Sequence, residues 1–173
     1  MQSDSWHPDT DLRIERALQN WKPDLVGTLL FVVHEGHVLL IEKKTGHGAG
    51  KINGPGGKLE ANETPEQCAR RELREELQVA VQTVTAAATL RFIDRSGPQW
   101  LGYVFLGQGL IGTPTETAEA QPVWAANDAL PLDRMWPDDR IWLPLILAGQ
   151  QLQGDFLLEG ERLVAHRWRP AAL

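Results

Sequence analysis

The sequence predicts an α/β fold built on a mixed β-sheet. Runs of β-branched and aromatic residues, several with alternating apolar positions, recur along the chain between turn-forming residues. Two segments instead have the apolar spacing of amphipathic helices and begin at helix-capping residues. The 173 residues suffice for one domain with a substantial core, and neither repeats nor an internal linker divide it.

The first residues are predicted to form an appendage. Ile14, Leu18 and Trp21 recur at i, i+4 and i+7, which is typical of a short helix with one apolar face. We therefore divide the chain into an N-terminal extension, residues 1–24, and a main domain, residues 25–173.

Strands and turns alternate through the main domain. The first two predicted strands are joined by a hairpin turn at residues 34–36, and the next two by a turn at residues 95–98. A helix is predicted after Pro137, with Asp138 and Asp139 in its first turn. The predicted strands are residues 26–33, 37–43, 79–94, 100–107, the region around 123–124, 156–158 and 163–168.

The segment between these two pairs of strands carries the main functional signal. It opens on residues 53–58, whose glycines allow a sharp turn and a close approach of the backbone to a ligand. A helix is predicted to follow, with Thr64 as its N-cap, Pro65 at its first position and Gln67 completing a capping box. Its predicted buried stripe consists of Ala69, Leu73 and Leu77.

Three carboxylates on this helix predict a metal site. Glu72, Glu75 and Glu76 are spaced i, i+3 and i+4, so they share one helical face and repel one another unless cations neutralise them. Clustered oxygen ligands suit Mg²⁺ or Mn²⁺, and the same ions bind phosphate oxygens. The alternative is a solvated acidic face, but such faces more often alternate Glu with Lys or Arg. The pattern favours metal-assisted chemistry on a polyphosphate.

Composition restricts the partners and the compartment. The net charge of −6 disfavours a nucleic-acid polymer as the main partner. A free nucleotide stays compatible, because divalent cations and nearby lysines can supply positive charge; these are Lys43, Lys44, Lys51 and Lys58. The chain shows no leader and no run that could span a bilayer, so a cytoplasmic protein without membrane contact is expected.

The single cysteine, Cys68, fits a reducing compartment and excludes an internal disulfide. It lies one turn before Glu72, which raises the question of a nucleophile. A small residue packed on the helix is favoured, since no His stands nearby in sequence to activate a thiolate.

The run that begins at Gly57 resembles the Nudix box. The family pattern is Gly, five residues, Glu, seven residues, and then Arg-Glu-aliphatic-any-Glu-Glu-any-Gly-aliphatic. Every specified position is met here from Gly57 through Glu63 and Arg71 onward, except that Gln78 replaces the second glycine. Because a residue with a side chain tolerates the left-handed conformation poorly, the helix is expected to end differently at Gln78 without loss of a ligand.

The resemblance extends from about residue 25 to about residue 170 and implies the Nudix fold, a mixed β-sheet sandwiched between helices. Residues 50–54, 112–114 and 135–139 are further similar to the oxidised purine nucleoside triphosphatases, which clear 8-oxo-dGTP from nucleotide pools. The resemblance implies hydrolysis of modified purine nucleoside triphosphates to monophosphate and diphosphate. It implies a monomer that acts on a small nucleotide, with Mg²⁺ as cofactor or Mn²⁺ in its place.

The resemblance also implies roles for individual residues. The metal ligands would be Glu72, Glu75, Glu76, the backbone carbonyl of Gly56 and the more distant Glu119, while Glu63 and Arg71 pair behind them. All three helix glutamates are catalytic candidates, and either Glu75 or Glu76 can be the base that activates water. The implied substrate-binding residues are Thr28, Lys43, Asn53, Pro55, Gly56, Gly57, Lys58, Trp136, Pro137, Asp138 and Asp139.

Two adjacent aspartates suggest how the base is recognised. Burial and mutual repulsion can hold a proton on the pair Asp138 and Asp139, which can then both donate and accept hydrogen bonds, beside a purine stacked on Trp136. The alternative is that both aspartates simply cap a helix. Two other tryptophans, Trp124 and Trp142, are expected in the core. His47 stands where the related enzymes often carry an aromatic residue that lines the pocket.

Three other functions stay open at this point. A Nudix hydrolase of another specificity, for ADP-ribose, dinucleoside polyphosphates or capped RNA, would carry the same box. A nucleotide-sensing module would bind without turnover, although such modules often lose acids of the box. An isopentenyl diphosphate isomerase shares the fold but needs a catalytic cysteine in a setting unlike that of Cys68.

Overall fold

The computed structural model describes residues 8–171, with side chains from residue 12 onward. Its three α-helices are α1 (Pro8–Leu18), α2 (Pro65–Leu77) and α3 (Asp139–Leu147), and a short 3₁₀ turn covers Leu132–Arg134. The strands are β1 (Leu25–His34), β2 (His37–Lys43), β3 (Ile52–Asn53), β4 (Gly56–Lys58), β5 (Ala80–Asp94), β6 (Trp100–Ile111), β7 (Ala120–Ala126), β8 (Leu152–Glu159) and β9 (Arg162–Pro170).

The nine strands of this described part form one mixed sheet. Its main path is β3-β2-β1-β6-β5-β8-β9, with β4 pairing β1 and β7 pairing β2. The β1–β6 and β5–β8 pairs are parallel, and the other pairs are antiparallel. The short β3 and β4 connect the central strands to the Gly-rich loop that precedes α2.

Helices cover both faces of the sheet. Leu30 of β1 packs with Leu73 of α2 in one cluster, whereas the next residue, Phe31, packs edge-on against Trp142 of α3 in another. Successive side chains of a strand point to opposite faces, so β1 contributes to both layers of the core. The sandwiched arrangement expected from the resemblance is confirmed.

The N-terminal helix α1 packs on a third cluster. Ile14 is fully buried there against Ile93, Leu157 and Ala165 of the sheet. The prediction that Trp21 belongs to this helix is wrong, because α1 ends at Leu18 and Trp21 follows in the connection to β1. Trp21 nevertheless packs against the same cluster.

Most predicted elements are present, and the differences are local. The capping box at Thr64 and the hairpin turn before His37 are both observed. The prediction missed β3 and β4, which are too short to show a period of two, and it ended β6 too early. Pairing with β5 continues as far as Ile111, and this pairing extends the strand. No helix of the described chain is long and apolar enough to cross a membrane.

The end of α2 also differs from its prediction. Gln78 adopts the left-handed conformation, with φ 59° and ψ 31°, and its N–H donates to the carbonyl of Arg74. The helix thus ends in the way that a glycine would favour, although a side chain in this conformation costs about 1 kcal/mol.

Candidate active site

The Gly-rich loop holds its backbone against both β1 and α2. A Cβ atom at Gly56 would lie 1.9 Å from the carbonyl oxygen of Thr28, so only glycine fits between the strands. A Cβ atom at Gly57 would lie 2.2 Å from Oε1 of Glu72. The main chain of the loop is therefore in direct contact with the acidic face of α2.

Glu76 is the most buried acid of this face. Its carboxylate is 2% exposed and accepts a 2.9 Å hydrogen bond from the N–H of Gly56. Burial, and after it the neighbouring charge of Glu72, raises the pKa of Glu76 to about 7, although the hydrogen bond from Gly56 and the charge of Lys43 oppose the shift. A cation beside this carboxylate would relieve both unfavourable effects.

Arg71 connects the other acids of the site. Its guanidinium donates to Glu63 through Nη2 at 2.6 Å and Nε at 3.1 Å, and its Nη1 contacts Glu72 at 2.8 Å and Glu75 at 3.2 Å. Hydrogen bonds from Arg71 and from the N–H of Glu60 lower the pKa of Glu63 to about 2. Burial raises the pKa of Glu72. Arg71 thus fixes the orientation of two predicted ligands from behind.

Glu119 and Lys43 lie close enough to act electrostatically on this cluster. The charge of Glu119 raises the pKa values of Glu72 and Glu76, whereas that of Lys43 lowers the pKa of Glu76. The hydroxyl of Thr117 donates to the carbonyl of Glu76 and accepts from the N–H of Glu119. The segment before β7 is therefore held against the end of α2.

The donor chemistry of the cluster fits a hard divalent cation. Its side chains offer only carboxylate oxygens, and the loop adds backbone carbonyls. Among the described residues, no three acidic, histidine or cysteine side chains already converge on one point as in a closed metal cage. Mg²⁺ characteristically takes one or two protein carboxylates together with substrate phosphates, so an open arrangement suits a metal shared with a polyphosphate.

The second group of predicted residues lies at the start of α3. Asp138 and Asp139 are 3% and 2% exposed. Nε1 of Trp142 donates to Asp138 at 2.9 Å, and the N–H of Trp136 donates to Asp139 at 3.0 Å. Burial raises the pKa of Asp138 to about 6 and holds that of Asp139 well above its usual range, where the charge of Asp138 raises it further.

Helix capping does not account for this pair. Asp138 stands at the N-cap position of α3, but its side chain makes no capping hydrogen bond. The backbone of Asp138 is moreover helical. A capping Asp normally has an extended backbone and accepts from the first turn of its helix. Both carboxylates are instead buried, Asp138 against the indole of Trp142 and Asp139 against the backbone of Trp136.

An aromatic stack covers Trp136. The ring of His47 lies 5.0 Å from that of Trp136 at an interplanar angle of 16°, and 6.2 Å from that of Trp100 at 24°. The ammonium of Lys51 lies 4.8 Å from the centroid of Trp136, and that of Lys58 lies 5.8 Å from the centroid of Trp100. Flat surfaces and cations thus extend from the aspartates toward the Gly-rich loop, a combination suited to a nucleotide.

The structure does not bring every predicted substrate-binding residue to this stack. The hydroxyl of Thr28 donates to Sγ of Cys68 at 3.3 Å, so its side chain faces α2 rather than α3. Asn53 ends the short strand β3, and its amide oxygen accepts from the N–H of the next residue, Gly54. Pro55 contributes a backbone bond, its carbonyl accepting from Leu30 at 2.8 Å.

Sequence analysis missed Trp100 and the contact of Lys51 with Trp136. Trp100 follows the turn at residues 95–98, beyond the end of the box, and no motif marks it. The lysines near the box were the one signal in the sequence for such cation–aromatic contacts. Trp142 is fully buried as expected, but the prediction that Trp124 lies in the core is wrong, because 41% of Trp124 is exposed and its ring lies beside that of His34 near the surface.

Cys68 is not poised as a nucleophile. Its thiol is buried between Thr28 and the carbonyls of Gly57 and Lys58, and burial raises its pKa to about 11. The thiol form is therefore the stable one at neutral pH, which agrees with a packing role.

Comparison with known proteins identifies the family. The model of the NUDIX domain matches residues 23–146. The chain belongs to the Nudix family. The oxidized purine nucleoside triphosphate hydrolase of Danio rerio is 39% identical over 138 residues, covering 79% of this chain and 88% of that protein. The enzyme of the same name from Mus musculus is 38% identical over 135 residues, covering 78% and 86%.

Solved structures agree with this assignment. The mutator MutT protein of Bacillus halodurans superposes with a TM-score of 0.73 over 86% of this chain and 99% of that one, at 23% identity, which supports the Nudix fold. A MutT NUDIX hydrolase of Burkholderia pseudomallei is 33% identical, with a TM-score of 0.58 over 62% of this chain and 86% of that one. The protein is thus a Nudix hydrolase, a class of enzymes that use divalent metal cations.

Proposed function

We propose that this Nudix hydrolase cleaves oxidised or otherwise modified purine nucleoside triphosphates to monophosphate and diphosphate, and so cleans the nucleotide pool. 8-oxo-dGTP and 2-hydroxy-dATP are the expected substrates, and O6-methyl-dGTP is a further candidate. The observation that carries the proposal is the buried pair of Asp138 and Asp139, held next to Trp136 in the chain by a bond from its backbone N–H. The names of the relatives from Danio rerio and Mus musculus support the same substrate class.

A proton held by the aspartate pair accounts for the choice of nucleobase in the substrate. With pKa values raised by burial, one carboxyl can donate to a ring nitrogen or carbonyl while the other accepts from an exocyclic amine or N–H. Moving the proton between Asp138 and Asp139 presents a different donor pattern to guanine-like and adenine-like edges. Trp136 supplies the stacking surface, and His47 must share it with the base or leave it.

The phosphate end belongs to the box. The proposed ligands of Mg²⁺, or of Mn²⁺ in its place, are Glu72, Glu75, Glu76, Glu119 and the carbonyl of Gly56. Such an ion, when bound, neutralises charge that develops on the phosphate oxygens. Lys58 and Lys43 add positive charge on either side of the loop, while Glu63 and Arg71 hold the glutamates in place.

Hydrolysis then needs a base and a bond to break. Glu75 or Glu76 accepts a proton from water, the water oxygen bonds to one phosphorus of the α–β anhydride, and the bond from that phosphorus to the bridging oxygen breaks. Water and the triphosphate give a nucleoside monophosphate and diphosphate. Half-exposed Glu75 and buried Glu76 are both compatible with this role.

We further propose a monomeric, cytoplasmic enzyme. Residues 25–173 would form the hydrolase domain, and residues 1–24 an extension to it. The single cysteine and the net charge of −6 support this setting and disfavour a nucleic-acid partner.

A substrate panel tests the proposal. Diphosphate release is measured with Mg²⁺ from 8-oxo-dGTP, 2-hydroxy-dATP, O6-methyl-dGTP, dGTP, ADP-ribose and diadenosine polyphosphates, with Glu76→Gln as the blank. We expect a preference for modified purine triphosphates that the blank abolishes. A preference for ADP-ribose or dinucleotides would retain the chemistry and overturn the pocket assignment, and no turnover would indicate a binding module.

Two variants test the shared proton. Asp138→Asn and Asp139→Asn keep the size of each side chain but fix its donor pattern. We expect each variant to change the ratio of kcat/KM for 8-oxo-dGTP to that for 2-hydroxy-dATP. An unchanged ratio in both variants would remove the proton from the account of specificity.

A further inference from the structure

A second cleft lies between the N-terminal extension and the turn that joins β5 to β6, and neither the Gly-rich loop nor α2 contributes to its lining. It has a volume of about 670 Å³ and lies partly open to solvent. Trp21 forms one wall, and the ends of β5 and β6 form the other at Asp94 and Gln99. Trp21 and the residues of α1 precede the part of the chain that matches the NUDIX domain.

Positive charge is concentrated in this cleft. Four of its lining residues are cationic: Arg13, Arg16, Lys22 and Arg95. Among the residues that the structure describes, no acidic side chain forms an ion pair or hydrogen bond with any of these four side chains. The charge of Arg95 is felt by Glu159, but Glu159 is already paired with Arg162.

The one acid of the lining is committed elsewhere. Oδ1 of Asp94 accepts from the N–H and hydroxyl of Ser96 and from the N–H of Gly160. Burial raises the pKa of Asp94, but these hydrogen bonds outweigh burial and lower it overall. Asp94 therefore stabilises the turn instead of neutralising the cleft, and four cations face one carboxylate in a chain whose net charge is −6.

The walls of the cleft are held by buried contacts. Ile14 is fully buried under α1, so the helix that carries Arg13 and Arg16 is fixed on the sheet. Nε1 of Trp21 donates to the side chain of Gln99 at 2.8 Å, and Gln99 donates to the carbonyl of Asp94 at 2.6 Å. The cleft is thus a built feature of the fold and not a gap left by a loose helix.

From this geometry we propose that the cleft binds a phosphorylated small molecule of nucleotide size. Guanidinium groups match phosphate oxygens in charge and in geometry, and four cations exceed what a single monovalent anion requires. The volume lies within the range of about 300–1,000 Å³ that is typical of small-molecule sites. Trp21 adds a flat apolar wall suited to a base or sugar.

The cleft adjoins the aromatic stack of the active site. Gln99 directly precedes Trp100, which stacks with His47, and the charge of His47 lowers the pKa of Asp94. The main chain of Gln99 also bonds to Asp24 and Leu25, where β1 begins. Gln99 therefore connects Trp21 of the cleft to Trp100, whose ring belongs to the aromatic stack beside the proposed base pocket.

Calorimetry without divalent metal tests the proposal. EDTA leaves the glutamates of the box uncompensated and repulsive to phosphates, so binding at the cleft dominates. The probes are inorganic diphosphate and dGMP at low salt, titrated into wild type, Arg16→Gln and Arg95→Gln. Arg169→Gln is the matched control, because it removes the same charge from an exposed residue that does not line the cleft.

We expect measurable binding of both probes, weakened about fivefold or more by each cleft variant, as the loss of a charge-assisted hydrogen bond at an exposed site requires. The control should change affinity less than twofold. Equal effects of all three variants, or no binding to wild type, would overturn the proposal. Stronger binding of a single-stranded oligonucleotide than of either probe would also overturn it and indicate a polymer. Diphosphate release from 8-oxo-dGTP is measured separately, so failure here is distinct from failure of the proposed hydrolase.

Discussion

Adding one methyl group at either of two adjacent glycines should separate folding from catalysis. In Gly56→Ala, the new Cβ would lie 1.9 Å from the carbonyl oxygen and 2.9 Å from the carbonyl carbon of Thr28, both of which belong to β1. In Gly57→Ala, it would lie 2.2 Å and 2.8 Å from the two carboxylate oxygens of Glu72. A backbone cannot yield without disturbing the sheet, whereas the end of a Glu side chain can rotate.

The magnitude for Gly56→Ala follows from the contacts that would move. To reach an acceptable separation, β4 must shift by about 1 Å from β1, a strain comparable with overpacking, which costs about 1–3 kcal/mol. The shift also weakens the bond from Leu30 to Pro55 at 2.8 Å and the bond from Gly56 to Glu76 at 2.9 Å. The Leu30–Pro55 bond contributes about 1 kcal/mol and the charge-assisted Gly56–Glu76 bond about 1.5–3 kcal/mol. Together with the strain, we expect the free energy of unfolding to fall by about 4 kcal/mol or more.

Gly57→Ala should leave stability nearly intact and reduce activity. The displaced Glu72 loses at most its contact with Arg71, worth about 1 kcal/mol at a partly exposed site. A ligand misplaced by about 1 Å can cost on the order of 10²-fold in rate. We therefore expect kcat/KM to fall about 100-fold and the apparent requirement for Mg²⁺ to rise.

Thermal unfolding and a titration of activity with Mg²⁺ measure both effects. At about 2–4 °C per kcal/mol for a chain of this size, Gly56→Ala should melt about 10 °C or more below wild type, and Gly57→Ala within about 4 °C of it. Glu72→Gln provides the reference for a lost carboxylate. A Gly56→Ala protein that melts with wild type, or a Gly57→Ala enzyme with wild-type kcat/KM and Mg²⁺ dependence, would refute the reasoning.

Three further predictions concern single side chains. Gln78→Gly should raise the free energy of unfolding by about 0.5–1 kcal/mol in urea, because glycine tolerates φ 59° without strain; a loss of stability would contradict this. Arg71→Lys should lower kcat/KM about 10- to 100-fold while the protein stays folded, because Lys cannot reproduce the two-nitrogen contact with Glu63. The folded-state pKa of Asp138 is raised from 3.8 to about 6, so the folded protein binds more protons than the unfolded chain between these values. As the pH rises through that interval, wild type should lose about 1.4 kcal/mol of stability per pH unit. In Asp138→Asn, urea unfolding at several pH values should show a slope smaller by about this amount, because buried Asp139 still contributes its own share. A slope equal to that of wild type would exclude a raised pKa of Asp138.

Local signals in the sequence were sufficient for much of the fold. The capping box at Thr64, the helix after Pro137 and the hairpin turn before His37 all depend on neighbouring residues, and all three are observed. The short β3 and β4 exist only because β2 and β1 pair with them, and such pairing leaves no periodicity in two or three residues.

The candidate site shows the same division. The spacing of Glu72, Glu75 and Glu76 is a property of one helix and could be predicted. The stack of His47 between Trp100 and Trp136 joins three loops or strand ends that are distant in sequence. Its assembly depends on tertiary packing, for which one sequence holds no periodic signal. The exposure of Trp124 has the same origin, since the face of a strand that is covered depends on tertiary packing.

The two halves of the proposed site lie in different layers of the sandwich. The glutamates belong to α2 and the aspartates to the start of α3, on opposite faces of the sheet. The Gly-rich loop passes between these layers, because β4 pairs with β1 while β3 pairs with β2. A molecule that reaches both groups must therefore cross the sheet edge at this loop, where backbone without side chains leaves room. Gly54 lies against the ring of Phe31, and Gly56 lies against the backbone of Thr28, so the two glycines contact residues of β1 whose side chains face opposite layers. A nucleoside triphosphate has a flat base at one end and a charged chain at the other, so the proposed substrate has the chemistry that the two halves would need in order to act as one site.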